Sequence, residues 1–169
     1  MDARRESEHT TMKNRTTVER KSERELVVSR TIDGPPRLVF EAWTRPELFR
    51  RWWVPKSAPV SLLSCEMDVR VGGKYRLVFK YGSQTMEFFG KYLEVTPCSR
   101  LVWTNDEGGE DAAAITTVTF EEREGKTLLT MHDLHPSKEA LDAAIASGST
   151  DGTSESWDQL DDLVVNLPQ

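Results

Sequence analysis

Apolar residues follow two different periods along the chain, and these periods predict its strands and helices. From residue 26 to 33 apolar and polar positions alternate, which is typical of a half-buried strand. Residues 38–53 place apolar side chains at helical spacing instead. Pro35 or Pro36 can open a first helix, and Pro46 a second. We therefore predict one strand followed by two short helices.

From residue 60 to 136 the period changes to two, which indicates a series of strands. Turn residues such as Gly72-Gly73 and Gly125-Lys126 divide this stretch. The six predicted strands span 60–71, 74–81, 85–95, 100–106, 114–122 and 127–134. Consecutive strands with short turns favour an antiparallel meander. With the first strand, the predicted sheet has about seven strands.

The last segment, 137–169, predicts either one interrupted helix or two separate helices. Its second part carries an apolar stripe at three- and four-residue steps, made of Trp157, Leu160, Leu163, Val164 and Leu167. The opposite side carries four acidic residues that we interpret as a solvated face, Glu155, Asp158, Asp161 and Asp162. Because the stripe needs an apolar surface, we predict an α+β fold in which the curved sheet wraps a long C-terminal helix.

The first 23 residues differ in composition from everything that follows. They are rich in charge, and only Met1, Ala3, Met12 and Val18 are apolar. Such a segment buries too little surface to offset the entropy lost on ordering. We predict a disordered N-terminal arm at 1–23 and a single domain at 24–169.

Composition and charge exclude several classes of protein. A net charge of −6 argues against a nucleic-acid surface. No run approaches the roughly 20 apolar residues of a membrane-spanning helix. The two cysteines and the lack of a secretory leader favour a reducing, cytoplasmic location.

Several short motifs occur in a characteristic order along the chain. They include Val39-Phe-x-Ala-Trp-Thr, Trp52-Trp-x-Pro, Asp68-x-Arg-x-Gly-Gly-x-Tyr and Arg100-Leu-Val-Trp-Thr. Over residues 24–167 the chain resembles the activator of heat-shock protein 90 ATPase-like family, within the START/Bet v 1 helix-grip superfamily. The resemblance implies a helix-grip fold with a hollow between the last helix and the sheet. Superfamily members bind lipids, hormones, polyketides or other hydrophobic molecules in that hollow, and some are cyclases or hydrolases.

Strand alternation and the family resemblance together indicate which side chains face the hollow. We expect a ligand to contact Phe79, Phe88, Trp103, Met131, Trp157 and two polar residues, Arg30 and Asp133. The first and last strands pair in this fold, so Arg30 and Asp133 can approach each other. A structural ion pair, an exposed rim position and a ligand contact are all open for them.

Signatures of catalysis and of metal binding are mostly absent from the sequence. No nucleophile elbow, Walker loop or dinucleotide fingerprint occurs. His132 and His135 lie three apart on a strand and point to opposite faces, which makes a poor metal clamp. Cys65 and Cys98 lack a C-x-x-C spacing, and Cys65 suits a buried structural role. We predict neither a metal nor a cofactor.

Three functional hypotheses follow from these observations. The first is a small cytoplasmic protein that binds a hydrophobic or aromatic small molecule. The second is a cyclase- or hydrolase-like enzyme that uses Asp133 or Arg30 in the same cavity. The third is a co-chaperone-like activator of a heat-shock protein 90, although the resemblance includes no counterpart of the additional N-terminal domain in the eukaryotic activators. A monomer and a homodimer are both open.

Overall fold

The computed structural model describes residues 15–106, 113–147 and 152–168. The strands are β1 (Thr17–Arg20), β2 (Glu25–Ile32), β3 (Ser61–Met67), β4 (Lys74–Tyr81), β5 (Gln84–Thr96), β6 (Arg100–Asn105), β7 (Ala114–Arg123) and β8 (Lys126–Leu134). The helices are α1 (Pro36–Thr44), α2 (Pro46–Phe49), α3 (Lys138–Ala146) and α4 (Thr153–Val165). No described helix is both long and apolar enough to cross a membrane.

One antiparallel sheet joins the described strands in the order β1-β2-β8-β7-β6-β5-β4-β3. Strands β3 to β8 follow the chain order, because short connections pair each strand with the next. The pairing of β2 with β8 is the long-range contact that joins the start of the domain to its end. The meander and the helix-grip architecture predicted from the sequence are therefore confirmed.

The prediction of a disordered arm is wrong for β1, and the sheet has eight described strands instead of about seven. Thr17–Arg20 pairs with β2 at the sheet edge, with Val18 opposite Val28. All four residues of β1 are exposed, so this strand is held by backbone hydrogen bonds and not by apolar burial. Hydrophobic patterning cannot detect such a strand. Residues 1–14 of the predicted arm lie outside the described residues.

The helices bury the apolar faces predicted for them. Pro36 is the first residue of α1, whose buried side includes Val39 and Trp43. The second helix is shorter than predicted and ends at Phe49, after which turns carry the chain through Trp52 and Trp53. The C-terminal segment forms two separate helices.

The apolar stripe of α4 packs against the core, as predicted. Trp157, Leu160 and Val164 are almost fully buried. In the core they meet β-strand residues such as Val118 and Leu129, which are also inaccessible to solvent. Burial of this stripe is what holds the helix in the curved sheet.

The acidic side of α4 differs from the solvated face that was predicted. Asp161 is 5% exposed, pairs with Arg30 at 3.1 Å and accepts a hydrogen bond from the backbone N–H of Asp33 at 2.9 Å. Asp158 also pairs with Arg30. Glu155 accepts a hydrogen bond from the backbone N–H of Ser57 at 2.9 Å. These carboxylates therefore tie α4 to β2 and to the segment after α2.

Strand register separates Arg30 from Asp133, so the two do not form a pair. Arg30 lies opposite Leu129, whereas Asp133 lies opposite Leu26. Four residues of strand span about 13 Å. The pairing of the two strands is thus as expected, but Arg30 turns to the carboxylates of α4 and Asp133 lies near the other end of β8.

Candidate functional site

A cavity of about 550 Å³ lies between the concave face of the sheet and the helices. The sheet contributes residues from β2 to β8, and all four described helices contribute residues to the facing wall. A volume in this range is typical of a binding site for a small organic molecule.

All five tryptophans of the chain line this cavity. Trp43 stands at the centre of the cluster, with ring centroids 4.8 Å from Trp52, 5.9 Å from Trp103 and 6.3 Å from Trp157. Tilted and edge-to-face arrangements of this kind are favourable for aromatic rings. The wall of the cavity is consequently dominated by large, rigid π-systems.

The segment after α2 fixes two of these rings in different ways. Trp52 is completely buried and donates a hydrogen bond from its indole Nε1 to the Ala42 carbonyl oxygen at 2.9 Å. Trp53 is half-buried and stacks on Phe49 with a centroid separation of 4.7 Å. Trp52 is thus a packed anchor.

The opposite end of the wall carries a row of polar side chains from four strands. Thr116 on β7 donates a hydrogen bond to Oδ1 of Asp133 at 2.6 Å. Asn105 on β6 donates from Nδ2 to the Thr116 hydroxyl at 3.0 Å. The Tyr75 hydroxyl on β4 lies 3.3 Å from the Asn105 side-chain oxygen and donates to the Thr104 carbonyl at 2.7 Å. This network holds the Asp133 carboxyl in a defined orientation.

A glycine allows Tyr75 to reach this network. Gly90 lies opposite Tyr75 in the β4–β5 pair. A Cβ atom at position 90 would lie 1.9 Å from the Thr104 carbonyl oxygen and 2.9 Å from the Tyr75 ring. Only a residue without a side chain permits this close approach of β5 to its neighbours.

Burial sets the ionisation of the acidic groups in the cavity wall. It raises the pKa of the Asp133 carboxyl, and this effect is partly opposed by the hydrogen bond from Thr116 and by the nearby His135 and His132. Burial likewise raises the pKa of the Tyr92 phenol. No lysine or arginine is found among the described residues of the wall. Among the described residues of the wall, Asp133 therefore faces the cavity without a lysine or arginine charge beside it.

The structure brings six of the seven predicted site residues to the cavity. These are Phe79, Phe88, Trp103, Met131, Asp133 and Trp157. Arg30 is the exception and is not part of the wall, because its side chain is engaged by Asp158 and Asp161 of α4. Whether the six residues contact a ligand stays a prediction.

Sequence reasoning missed several polar residues of the wall, among them Asn105, Thr116 and His135. Strand alternation contains the signal for the first two, because Asn105 follows Trp103 by two residues and Thr116 precedes Val118 by two. His135 follows Asp133 by two in the same way and also lines the cavity. Their hydrogen-bonding partners were not predictable, since these depend on the register of neighbouring strands.

His132 and the half-buried Cys65 have surroundings that favour a structural role. His132 contacts the Glu25 carboxylate at 2.7 Å, and this hydrogen bond lowers the pKa of Glu25. Burial raises the pKa of the Cys65 thiol to about 11, which keeps it in the unreactive thiol form near neutrality. Within the described ranges, no group of histidine, cysteine and acidic residues is arranged to hold a metal ion.

A curved antiparallel sheet that encloses a helix and an aromatic cavity defines a helix-grip protein. The family model described as Activator of Hsp90 ATPase homolog 1-like protein matches residues 33–165. The chain belongs to this family. No curated protein matches the chain in sequence.

Solved structures with the same architecture come from several bacteria. A Rhodobacter sphaeroides protein has a TM-score of 0.83 and 23% identity, over 90% of this chain and 100% of its own. A Nitrosomonas europaea protein has a TM-score of 0.75 and 26% identity, over 86% and 96%. An AHSA1-like protein from Aeromonas hydrophila has a TM-score of 0.64 and 20% identity, over 82% and 91%. At these identities the similarity concerns the fold.

Proposed function

We propose that this protein binds a hydrophobic or aromatic small molecule in the cavity between the sheet and α4. The observation that carries the proposal is the cavity itself, about 550 Å³ in volume and lined by all five tryptophans. Apolar ligand surface transferred from water to such a wall contributes about 25 cal/mol per Å². Affinity should therefore rise with apolar ligand area until the volume is filled.

The tryptophans also provide the means of detecting a ligand. Because each of them lines the cavity, a bound molecule alters the environment of the intrinsic fluorophores directly. A neutral fluorescent probe such as N-phenyl-1-naphthylamine tests the proposal, since its own emission increases in an apolar site. We expect saturable probe binding together with quenching of tryptophan emission.

Filling the cavity tests whether the probe binds at this place. Met131 lines the cavity on β8, between Val28 and Val118 of the neighbouring strands. We expect Met131→Trp to abolish probe binding while thermal unfolding remains cooperative. Thr130→Trp is the matched control, because residue 130 points to the other face of the strand. Equal probe affinity in both variants and the wild type would refute the cavity as the binding site.

The family to which the chain belongs supports a second candidate, a co-chaperone-like role. Its model carries the description Activator of Hsp90 ATPase homolog 1-like protein. The test is direct binding of a purified heat-shock protein 90 to the full chain by calorimetry. Saturable binding at tens of micromolar or tighter would support this role, and its absence in that range would contradict it.

A further inference from the structure

The polar end of the cavity contains a carboxyl group, that of Asp133, with unused hydrogen-bonding capacity. Oδ1 of Asp133 accepts from Thr116 at 2.6 Å, and no described residue donates a hydrogen bond to Oδ2. The side chain is half-buried and belongs to the cavity wall. A ligand group placed there would meet an oriented acceptor that the protein itself leaves free.

Among the described residues of the wall, no lysine or arginine neutralises the charge of an ionised Asp133. Thr116 on β7 and Leu26 on β2 are its lateral neighbours, and neither is ionisable. His132 and His135 are the titratable groups whose charge acts on it, and Tyr75 and Tyr92 are the phenols of the wall. The α4 residues of the wall are uncharged, and Arg30 is held by Asp161 at a distance of four strand residues from Asp133, or about 13 Å. A cation in the cavity would therefore be the direct partner of the carboxylate.

The aromatic part of the wall favours the same kind of ligand. Trp103 lies on β6 opposite Thr116, which in turn lies opposite Asp133 on β8. Two strand spacings separate Asp133 from Trp103, or about 10 Å. The negative faces of tryptophan rings attract ammonium groups and their polarised N–CH₂ groups, and apolar ligand carbon packs on the same rings. One end of a ligand can thus pair with Asp133 while its body fills the tryptophan cluster.

We propose that the cavity selects apolar amines, with the ligand ammonium group bound to the Asp133 carboxylate and its hydrocarbon or aromatic body among the tryptophans. This inference rests on the proposed function and gives it a ligand class. Carboxylic acids of the same shape are disfavoured, because the described wall offers them no positive charge and places Asp133 against them. Neutral analogues keep the apolar contacts but lose the charge-assisted hydrogen bond.

A matched series of three naphthalene derivatives tests this selection. The probes are 2-(2-naphthyl)ethylamine, 2-(2-naphthyl)ethanol and 3-(2-naphthyl)propanoic acid, each measured at pH 7.5 by displacement of N-phenyl-1-naphthylamine. We expect the amine to bind about tenfold more tightly than the alcohol, and the acid to bind most weakly. Equal affinities for amine and alcohol, or a preference for the acid, would overturn the inference.

Two variants assign the selection to Asp133. Asp133→Asn keeps the shape and an acceptor for Thr116, so we expect the amine and the alcohol to bind within about twofold of each other. Asp162→Asn removes the same charge from an exposed position of α4 and should leave the preference unchanged. A tenfold preference that survives in Asp133→Asn would overturn the assignment. The wild-type series decides the ligand class even if the variant unfolds.

The two proposals fail in distinguishable ways. If the neutral probe binds and Met131→Trp abolishes its binding, the cavity binds ligands whatever the outcome of the amine series. If the probe does not bind the wild type and none of the three derivatives quenches its tryptophan emission, both proposals are wrong.

Discussion

Replacing Arg30 tests how the C-terminal helix is anchored to the sheet. Its guanidinium pairs with Asp158 and with Asp161, and the Asp161 carboxylate also accepts the Asp33 N–H. The side chains of Arg30 and Asp161 are 5% and 7% exposed, whereas that of Asp158 is 62% exposed. Arg30→Met would therefore leave one carboxylate buried without its cation.

The difference in burial between Asp161 and Asp158 determines how much stability each substitution should cost. Removing one member of a buried ion pair costs about 3–5 kcal/mol, so we expect Arg30→Met to lower the free energy of unfolding by that amount. In a domain of this size the unfolding midpoint falls by roughly 6–20 °C. Asp158→Asn loses only the solvent-exposed partner and should cost about 1 kcal/mol or less. Urea unfolding followed by tryptophan fluorescence measures both values.

A double variant separates the buried charge from the packing of the arginine. Asp161→Asn removes the carboxylate charge but keeps an oxygen that can accept the Asp33 N–H. In Arg30→Met/Asp161→Asn we therefore expect more than half of the lost stability to return. A double variant no more stable than Arg30→Met would refute the buried-charge explanation.

The pH dependence of Arg30→Met provides a second check. Desolvation already raises the pKa of Asp161, and Arg30 is one of the groups that oppose this rise. Without Arg30 the folded state holds its Asp161 proton more tightly than the unfolded state does. The stability of the variant should approach that of the wild type below the ordinary pKa of an aspartate. It should fall as the pH rises through the raised pKa of the folded state. A deficit independent of pH would contradict this account.

Two further predictions concern the wall and the thiols. Gly90→Ala places a Cβ 1.9 Å from the Thr104 carbonyl oxygen. We therefore expect the free energy of unfolding, measured in urea, to fall by about 1–3 kcal/mol. Unchanged stability would contradict the close approach of the two strands. Cys98 is exposed and Cys65 has a pKa of about 11, so alkylation at pH 8 mapped by mass spectrometry should modify Cys98 at least about tenfold faster. Equal rates would show that burial does not protect Cys65.

The sequence by itself was sufficient to predict the meander, the two helices after the first strand and the apolar stripe of α4. These features depend on local periodicity, which is the same whether or not the chain is folded. Alternation on each strand, together with the family resemblance, also selected Phe79, Phe88, Trp103 and Met131 as inward-facing. Side-chain direction along a strand repeats every two residues, so one correct assignment determines the rest of that strand.

Tertiary structure alone decided which inward-facing residues meet. Arg30 and Asp133 lie on paired strands with the expected orientation, yet the register places Arg30 opposite Leu129 and near α4. The sequence predicted that the acidic residues of α4 form a solvated face. In the structure Asp161 is instead bonded to Arg30 and to the Asp33 N–H, which lie more than 120 residues away in sequence. The edge strand Thr17–Arg20 has no apolar signal because backbone hydrogen bonds hold it in place. Partners, register and edge pairing are properties of the assembled sheet, and local periodicity contains no information about them.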